Sequence, residues 1–175
     1  MAIRVEGLQS IAREINAGHP VVVFQNLGIG IWPRWHFALA VGYDLPQQQL
    51  VLHSGQQAFR REPLRFFERT WTLADEWALV VLEPKDLSVT AGELEHLRAA
   101  SALEQLGFVR EAGEAYESIL SRWPDSLAGL IGAGNSRYAL GQRADAIRFL
   151  RKASRLHPDS AVAKHNLDVA ERSLK

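Results

Sequence analysis

The second half of this 175-residue chain repeats itself at a fixed spacing. Three residues recur 34 positions later, in the pairs Gly107 and Gly141, Ala112 and Ala146, and Pro124 and Pro158. A glycine can end a helix in a left-handed cap, an alanine lets two helices approach closely, and a proline stops a helix. The spacing therefore predicts pairs of helices that stack on one another in an open array.

A 34-residue period with these marks resembles the tetratricopeptide repeat. The resemblance covers roughly residues 91–175. It implies a domain at 87–175 with two repeats, at about 91–124 and 127–158, followed by a capping helix at 161–174. The repeat has a small residue at one position inside its first helix. Gly134 occupies this position in the second repeat, and Ala100 occupies it in the first. We therefore expect five helices in this half of the chain.

The first helices of such repeats line a concave surface that takes extended peptides or partner helices. With only two repeats this groove would be shallow, so capture of a peptide or protein partner and a docking or dimerisation role are equally open. The candidate partner-binding residues are His96, Leu103, Leu130, Arg137 and Lys164.

Residues 1–86 mix strand and helix signals, which predicts an α+β fold with a small antiparallel sheet. The stretch GLQSIAREINAG has helical periodicity, and Pro63 suits the first turn of a short helix, LRFFERTW. Strands are predicted from the β-branched and apolar runs at VVVFQN, His36 to Tyr43, Gln49 to His53, and Glu76 to Leu82.

Composition excludes several classes of function. Twenty basic residues balance twenty acidic ones, so no net field attracts nucleic acid or an acidic membrane surface. The chain contains no cysteine, which excludes disulfides, thiolate metal sites and a thiol nucleophile within it. No apolar run is long enough to span a membrane, and no motif calls for a cofactor.

His36 is the candidate catalytic residue, because it opens the apolar strand in WPRWHFALAVGY. The stretches GHPVVVFQNLG and WHFALAVGYDLPQQQLVLHSG resemble the C39-like cysteine peptidases, a papain-fold family related to the double-glycine leader peptidases. The resemblance implies that His36 is the general base of such an enzyme. It also implies that the nucleophilic cysteine and the oxyanion-hole glutamine belong to a helical lobe preceding this sequence. We therefore expect this chain to be inactive alone, and the intact parent to lie in the bacterial cell envelope or periplasm, with its export signal upstream.

The residue that would orient His36 is either His53 or Ser54, since the family has an Asp or Asn on the strand that contains LHSG. If Asp44 pairs with Gln49, His53 lies opposite Ala40 and shares a face with His36; if Asp44 pairs with Gln48, Ser54 takes that place. Ser-Gly occupies the position of the family's Asp-Pro, which favours Ser54. A hydroxyl cannot balance an imidazolium as a carboxylate does, so the resulting activity would be weaker.

Other interpretations stay open at this point. The chain could be a non-enzymatic interaction protein with a degenerate peptidase-like lobe. His36 and His53 could bind a metal, although a third ligand is missing. Trp32 and Trp35 could line a substrate groove or simply cover the sheet. Because removal of a helical lobe would bare an apolar surface, we also expect self-association as a homodimer or by domain swapping.

Overall fold

The computed structural model describes residues 1–29 and 31–173, which form two compact units. The sheet unit contains residues 2–82 and 88–91, and the repeat unit contains residue 1, residues 83–87 and the chain from Gly92 onward. The sheet unit is built on six antiparallel strands, whereas the described part of the repeat unit is helical. The α+β class predicted from the sequence is therefore confirmed.

The sheet has the strand order β1-β6-β2-β3-β4-β5. The strands are β1 (Ala2–Arg4), β2 (Val21–Asn26), β3 (Trp35–Asp44), β4 (Gln49–Ser54), β5 (Gln57–Pro63) and β6 (Ala78–Val81). The unit also has two helices, α1 (Leu8–Asn16) and α2 (Leu64–Thr72). Sequence reasoning missed β1 and β5, which are the two edge strands. An edge strand pairs with a neighbour on one side only. It can therefore lack the apolar run from which a strand is predicted.

One side of the sheet, called here the inner face, is closed by the helices. Its buried residues come from alternate positions of the central strands, as a period of two requires; they are Val21, Val23, Ala38, Ala40, Leu52, Ala78 and Val80. Phe67 and Trp71 of α2 and Ile11 of α1 are buried with relative exposures of 3% or less. Gln25 and His36 occupy the same alternation and belong to the inner face.

The repeat unit contains the five predicted helices, which pair in sequence order. They are α3 (Glu93–Gln105), α4 (Val109–Arg122), α5 (Leu127–Ala139), α6 (Arg143–Leu156) and α7 (Ala161–Arg172). The capping helix predicted over 161–174 is α7, and residue 174 lies outside the described residues. No helix within the described ranges combines the length and apolarity needed to cross a membrane.

The marks of the repeat have the predicted physical roles. Gly107 and Gly141 follow α3 and α5 with φ angles of +84° and +77°, which favour glycine. Ala112 and Ala146 are fully buried where paired helices meet. A Cβ atom added to Gly134 would lie 2.6 Å from Leu150 Cγ, so the packing leaves no room for a side chain there.

Candidate functional site

The structure brings His36 and Ser54 together across β3 and β4. His36 Nε2 lies 2.7 Å from Ser54 Oγ, and this contact is partly buried. Ser54 is 7% exposed and is paired with Ala38, two residues after His36 on the same face. The two side chains thus form a hydrogen-bonded pair at the edge of the sheet where β3 begins and β4 ends.

A bulge in β3 decides which residue meets His36. The hairpin has the register Asp44 to Gln49, which in a regular ladder would place His53 on the face of His36. The pairing shifts between Ala40 and Gly42, so Val41 is an extra residue on β3. One inserted residue exchanges the two faces of the strand beyond it. Ser54 therefore lies opposite Ala38 even though the turn has the other register.

His53 is paired with Leu39 and lies on the opposite face of the sheet from His36. Its ring centroid is 4.6 Å from that of Phe59. Because the two histidines face opposite ways, they do not share a metal site. Among the described residues, no group of three or more His, Cys, Asp and Glu side chains is arranged to hold a metal ion.

A buried polar cluster beside His36 was not anticipated from the sequence. Gln25 is the cross-strand neighbour of His36, is 1% exposed, and donates from Nε2 to Glu62 Oε1 and Thr70 Oγ1, both at 2.8 Å. Glu62 also accepts from Arg60 Nη2 at 3.1 Å. The amide of Gln25 therefore joins β2, β5 and α2 from the inner face. The available signal was a glutamine at a buried position of the run VVVFQN.

The segment that leads into His36 is held by the side chain of Asn26 and by a close backbone approach at Gly28. Asn26 Oδ1 accepts from the backbone N–H groups of Gly28 and Arg34, each at 2.9 Å. A Cβ on Gly28 would lie 2.0 Å from the carbonyl oxygen of Trp32, so this position requires glycine. These contacts fix where β3 begins and hence where His36 stands.

The repeat unit does not expose the predicted partner-binding residues as one surface. His96 is 0% and Leu130 1% exposed, so neither can line an open groove. Leu103 packs against the core of the repeats, and Arg137 Nε donates to Glu117 Oε1 at 2.6 Å. Lys164 is exposed.

An open depression in the repeat unit lies instead between α5 and α7. Its volume is about 280 Å³, and its lining residues are Asn135, Tyr138, Leu150, His165, Asn166 and Val169. Asn166 Nδ2 donates to Asn135 Oδ1 at 2.9 Å. The sequence period places the helices correctly, but the side of each helix that remains open depends on how the pairs stack.

Comparison with known proteins supports the assignment of the repeats. Residues 129–160 match a family model described as a tetratricopeptide repeat. These residues run from the third residue of α5 through α6 to the residue before α7, so the match overlaps nearly all of the second predicted repeat. A search of the curated proteins found no match to this chain.

The fold is also similar in part to a solved structure of a provisionally assigned C39-like peptidase from Bacillus anthracis. The TM-score is 0.40 and the sequence identity 16%, over 47% of this chain and 50% of that chain. This chain therefore spans about half the length of the protein that it matches. Of the two resemblances drawn from the sequence, the tetratricopeptide repeat is the one that a family model matches.

Proposed function

We propose that the sheet unit is the histidine half of a C39-like cysteine peptidase, with His36 as the general base and Ser54 as the residue that orients it. The observation that carries the proposal is the 2.7 Å contact between His36 Nε2 and Ser54 Oγ. It supports a base whose ring is held by a neighbour on the following strand, which is the arrangement that the sequence resemblance implies.

In this proposal the two ring nitrogens of His36 have different tasks. In the orienting role, Nε2 carries the proton and donates to the Ser54 hydroxyl, which accepts through an oxygen lone pair. The other nitrogen, Nδ1, then takes the proton of a thiol and returns it to the leaving amine. Because Ser54 is neutral, it orients the ring but contributes little to stabilising the imidazolium that forms.

The thiol in this mechanism has to come from outside these 175 residues, since they contain no cysteine. The purified chain should therefore not cleave peptides. Cleavage of a peptide substrate that His36→Ala abolishes would contradict this part of the proposal. Reading the genomic sequence upstream of the Met1 codon tests the other part, because a cysteine-bearing segment in frame is expected there.

The hydrogen-bond role of Ser54 can be tested in the chain as it stands. Nitrogen-detected NMR of the histidine rings should show His36 protonated at Nε2. Ser54→Ala should shift the tautomer equilibrium of His36, because the acceptor that stabilises the Nε2–H form is removed. His53→Ala is the matched control, since His53 lies on the other face of the sheet, and it should leave the His36 signals unchanged. An unaltered His36 tautomer in Ser54→Ala would contradict the orienting role.

A second candidate function is a non-enzymatic protein-binding module in which the sheet unit serves as a scaffold. The observation that favours it is that Ser54, a short hydroxyl side chain, stands where the resemblance expects an Asp or Asn. The repeats would then carry the function by holding a peptide or protein partner, as arrays of this kind do. An in-frame stop codon directly upstream of Met1 would favour this second candidate over the peptidase.

A further inference from the structure

The outer face of the sheet is apolar, although α1 and α2 close the inner face. An antiparallel sheet with one solvated face normally alternates apolar residues inward and polar residues outward. Here the outward positions of β6, of β2 before Asn26 and of β3 before its bulge are apolar as well, and so is Trp77 before β6. We call this set the aromatic face: Val22, Phe24, Trp35, Phe37, Leu39, Trp77, Leu79 and Val81.

The aromatic face is exposed and its rings are already ordered. Trp35, Phe37 and Val81 are 55%, 58% and 60% exposed. Phe24 stacks on Trp35 with ring centroids 5.2 Å apart and contacts Phe37 at 4.4 Å. Phe37 meets Trp77 edge to face at 5.7 Å. Because the rings hold one another in place, a partner would immobilise them at little cost in side-chain entropy.

The size of the aromatic face suits a stable interface. A large aromatic side chain presents about 150–250 Å², so Trp35 and Phe37 alone expose roughly 250 Å². The half-buried members and Val81 bring the face to the order of 500 Å², the size of the largest patches on monomers. A standard interface buries about 800 Å² on each partner, of which about 65% is apolar in homodimers. The aromatic face could supply most of that apolar part.

We propose that two copies of this chain associate through the aromatic face, which forms the centre of a two-fold symmetric homodimer. In such an interface each patch meets its own copy, so the patch must be self-complementary. An apolar ring cluster meets this requirement, whereas a like-charged patch would repel itself. Arg4, which borders the face, is already engaged: its guanidinium lies 5.8 Å from the Trp77 ring centroid and donates to the backbone oxygen of Asp75 at 3.2 Å. This inference does not depend on the proposed peptidase function.

Light scattering of the purified chain over a dilution series tests the proposal. The expected mass at micromolar concentration is twice the 19.5 kDa of one chain. Val81→Lys places a charge on the face without touching the ring cluster, and Trp35→Ser removes an exposed ring. Each should raise the dimer dissociation constant about tenfold or more, as expected for residues at the centre of an interface.

Leu45→Ser is the matched control for these variants. Leu45 is 65% exposed in the turn after β3, at the opposite end of that strand from Trp35, and its replacement should leave the mass unchanged. Circular dichroism of each variant shows whether the fold is retained. A chain that stays monomeric at all concentrations would overturn the proposal. The aromatic face would then be a surface for binding a different protein. A dimer that survives both Val81→Lys and Trp35→Ser would overturn it too.

Discussion

We predict that Glu14 holds the last segment of the sheet unit, residues 88–91, in place. It lies on α1 with 0% exposure, and its Oε1 accepts from Ser88 Oγ at 2.5 Å, Thr90 Oγ1 at 2.6 Å and Thr90 N–H at 2.9 Å. Its Oε2 lies 2.8 Å from His19 Nδ1. Residues 88–91 return to the sheet unit after residues 83–87 have left it, and Glu14 gathers this returning segment onto α1.

The ionised state of Glu14 follows from two opposing effects. Burial by itself raises the pKa of the carboxyl group, but the hydrogen bonds from Ser88, Thr90 and His19 lower it, and the net pKa lies below the ordinary value. A carboxylate with a lowered pKa in the folded state stabilises the fold above its unfolded pKa. That contribution is lost as the pH falls below about 4.3 and through the folded-state pKa.

The size of the effect can be worked from the contacts. Hydrogen bonds to a charged group contribute about 1.5–3 kcal/mol each, and a buried polar group left without a partner costs about 1–3 kcal/mol. Glu14→Gln keeps an acceptor oxygen but removes the charge, so we expect a loss of about 2 kcal/mol in the free energy of unfolding. Glu14→Ala removes both carboxylate oxygens and with them the acceptor of the Ser88 and Thr90 hydrogen bonds, and we expect a loss of about 3–5 kcal/mol.

Urea unfolding followed by tryptophan fluorescence measures this loss, because four of the five tryptophans lie in the sheet unit. The stability difference between the natural chain and Glu14→Gln should shrink in acid, where the natural carboxyl is protonated too. Glu6→Gln, the same chemical change at an exposed position just before α1, should stay within about 0.5 kcal/mol. Equal stability of Glu14→Gln at neutral pH, or a difference that persists in acid, would refute the reasoning.

Two further predictions concern the repeat unit. Gly134→Ala should destabilise it by about 1–2 kcal/mol in thermal unfolding, because the new Cβ meets the buried Leu150 and the overpacking outweighs the better helix propensity of alanine; a more stable variant would show that the helices can separate freely. Tyr116 donates to Glu104 Oε2 at 3.0 Å, and burial followed by the nearby Glu104 charge raises the pKa of its phenol. The folded state therefore keeps a proton that the unfolded state releases, so stability should fall as the pH rises above about 10. Tyr116→Phe should weaken this alkaline loss, and identical alkaline slopes for the two chains would contradict it.

Several elements could be predicted because their signals are local. The 34-residue period in Gly107, Ala112 and Pro124 and their later counterparts predicts helices whose ends the structure places near those residues. The β-branched run at β2 predicts a strand with the bounds that the structure has. In contrast, β1 and β5 lie at the edges of the sheet, where pairing with a neighbour stabilises short or polar strands that carry little signal of their own.

The candidate site shows where local signals end. The sequence singled out His36 and narrowed its partner to His53 or Ser54. It could not choose by register, because a bulge at Val41 reverses the face of every residue beyond it, and its only local sign is the glycine that follows it in the strand. The partner-binding residues predicted in the repeats do not form one surface, because tertiary packing again decides which side chains are exposed. His96 and Leu130 have the helical phase of a groove, but stacking of the helix pairs buries both.

The sequence by itself therefore determined the two kinds of architecture, the number of repeat helices and the histidine on which the proposed chemistry depends. The architecture could be predicted because periodicity and helix-ending residues act over a few helical turns. Only the tertiary structure decided that Ser54 meets His36, that Glu14 holds residues 88–90, and that the outer face of the sheet presents exposed aromatic rings. These outcomes depend on register, bulges and long-range packing. They join residues far apart in sequence, so no local pattern specifies them.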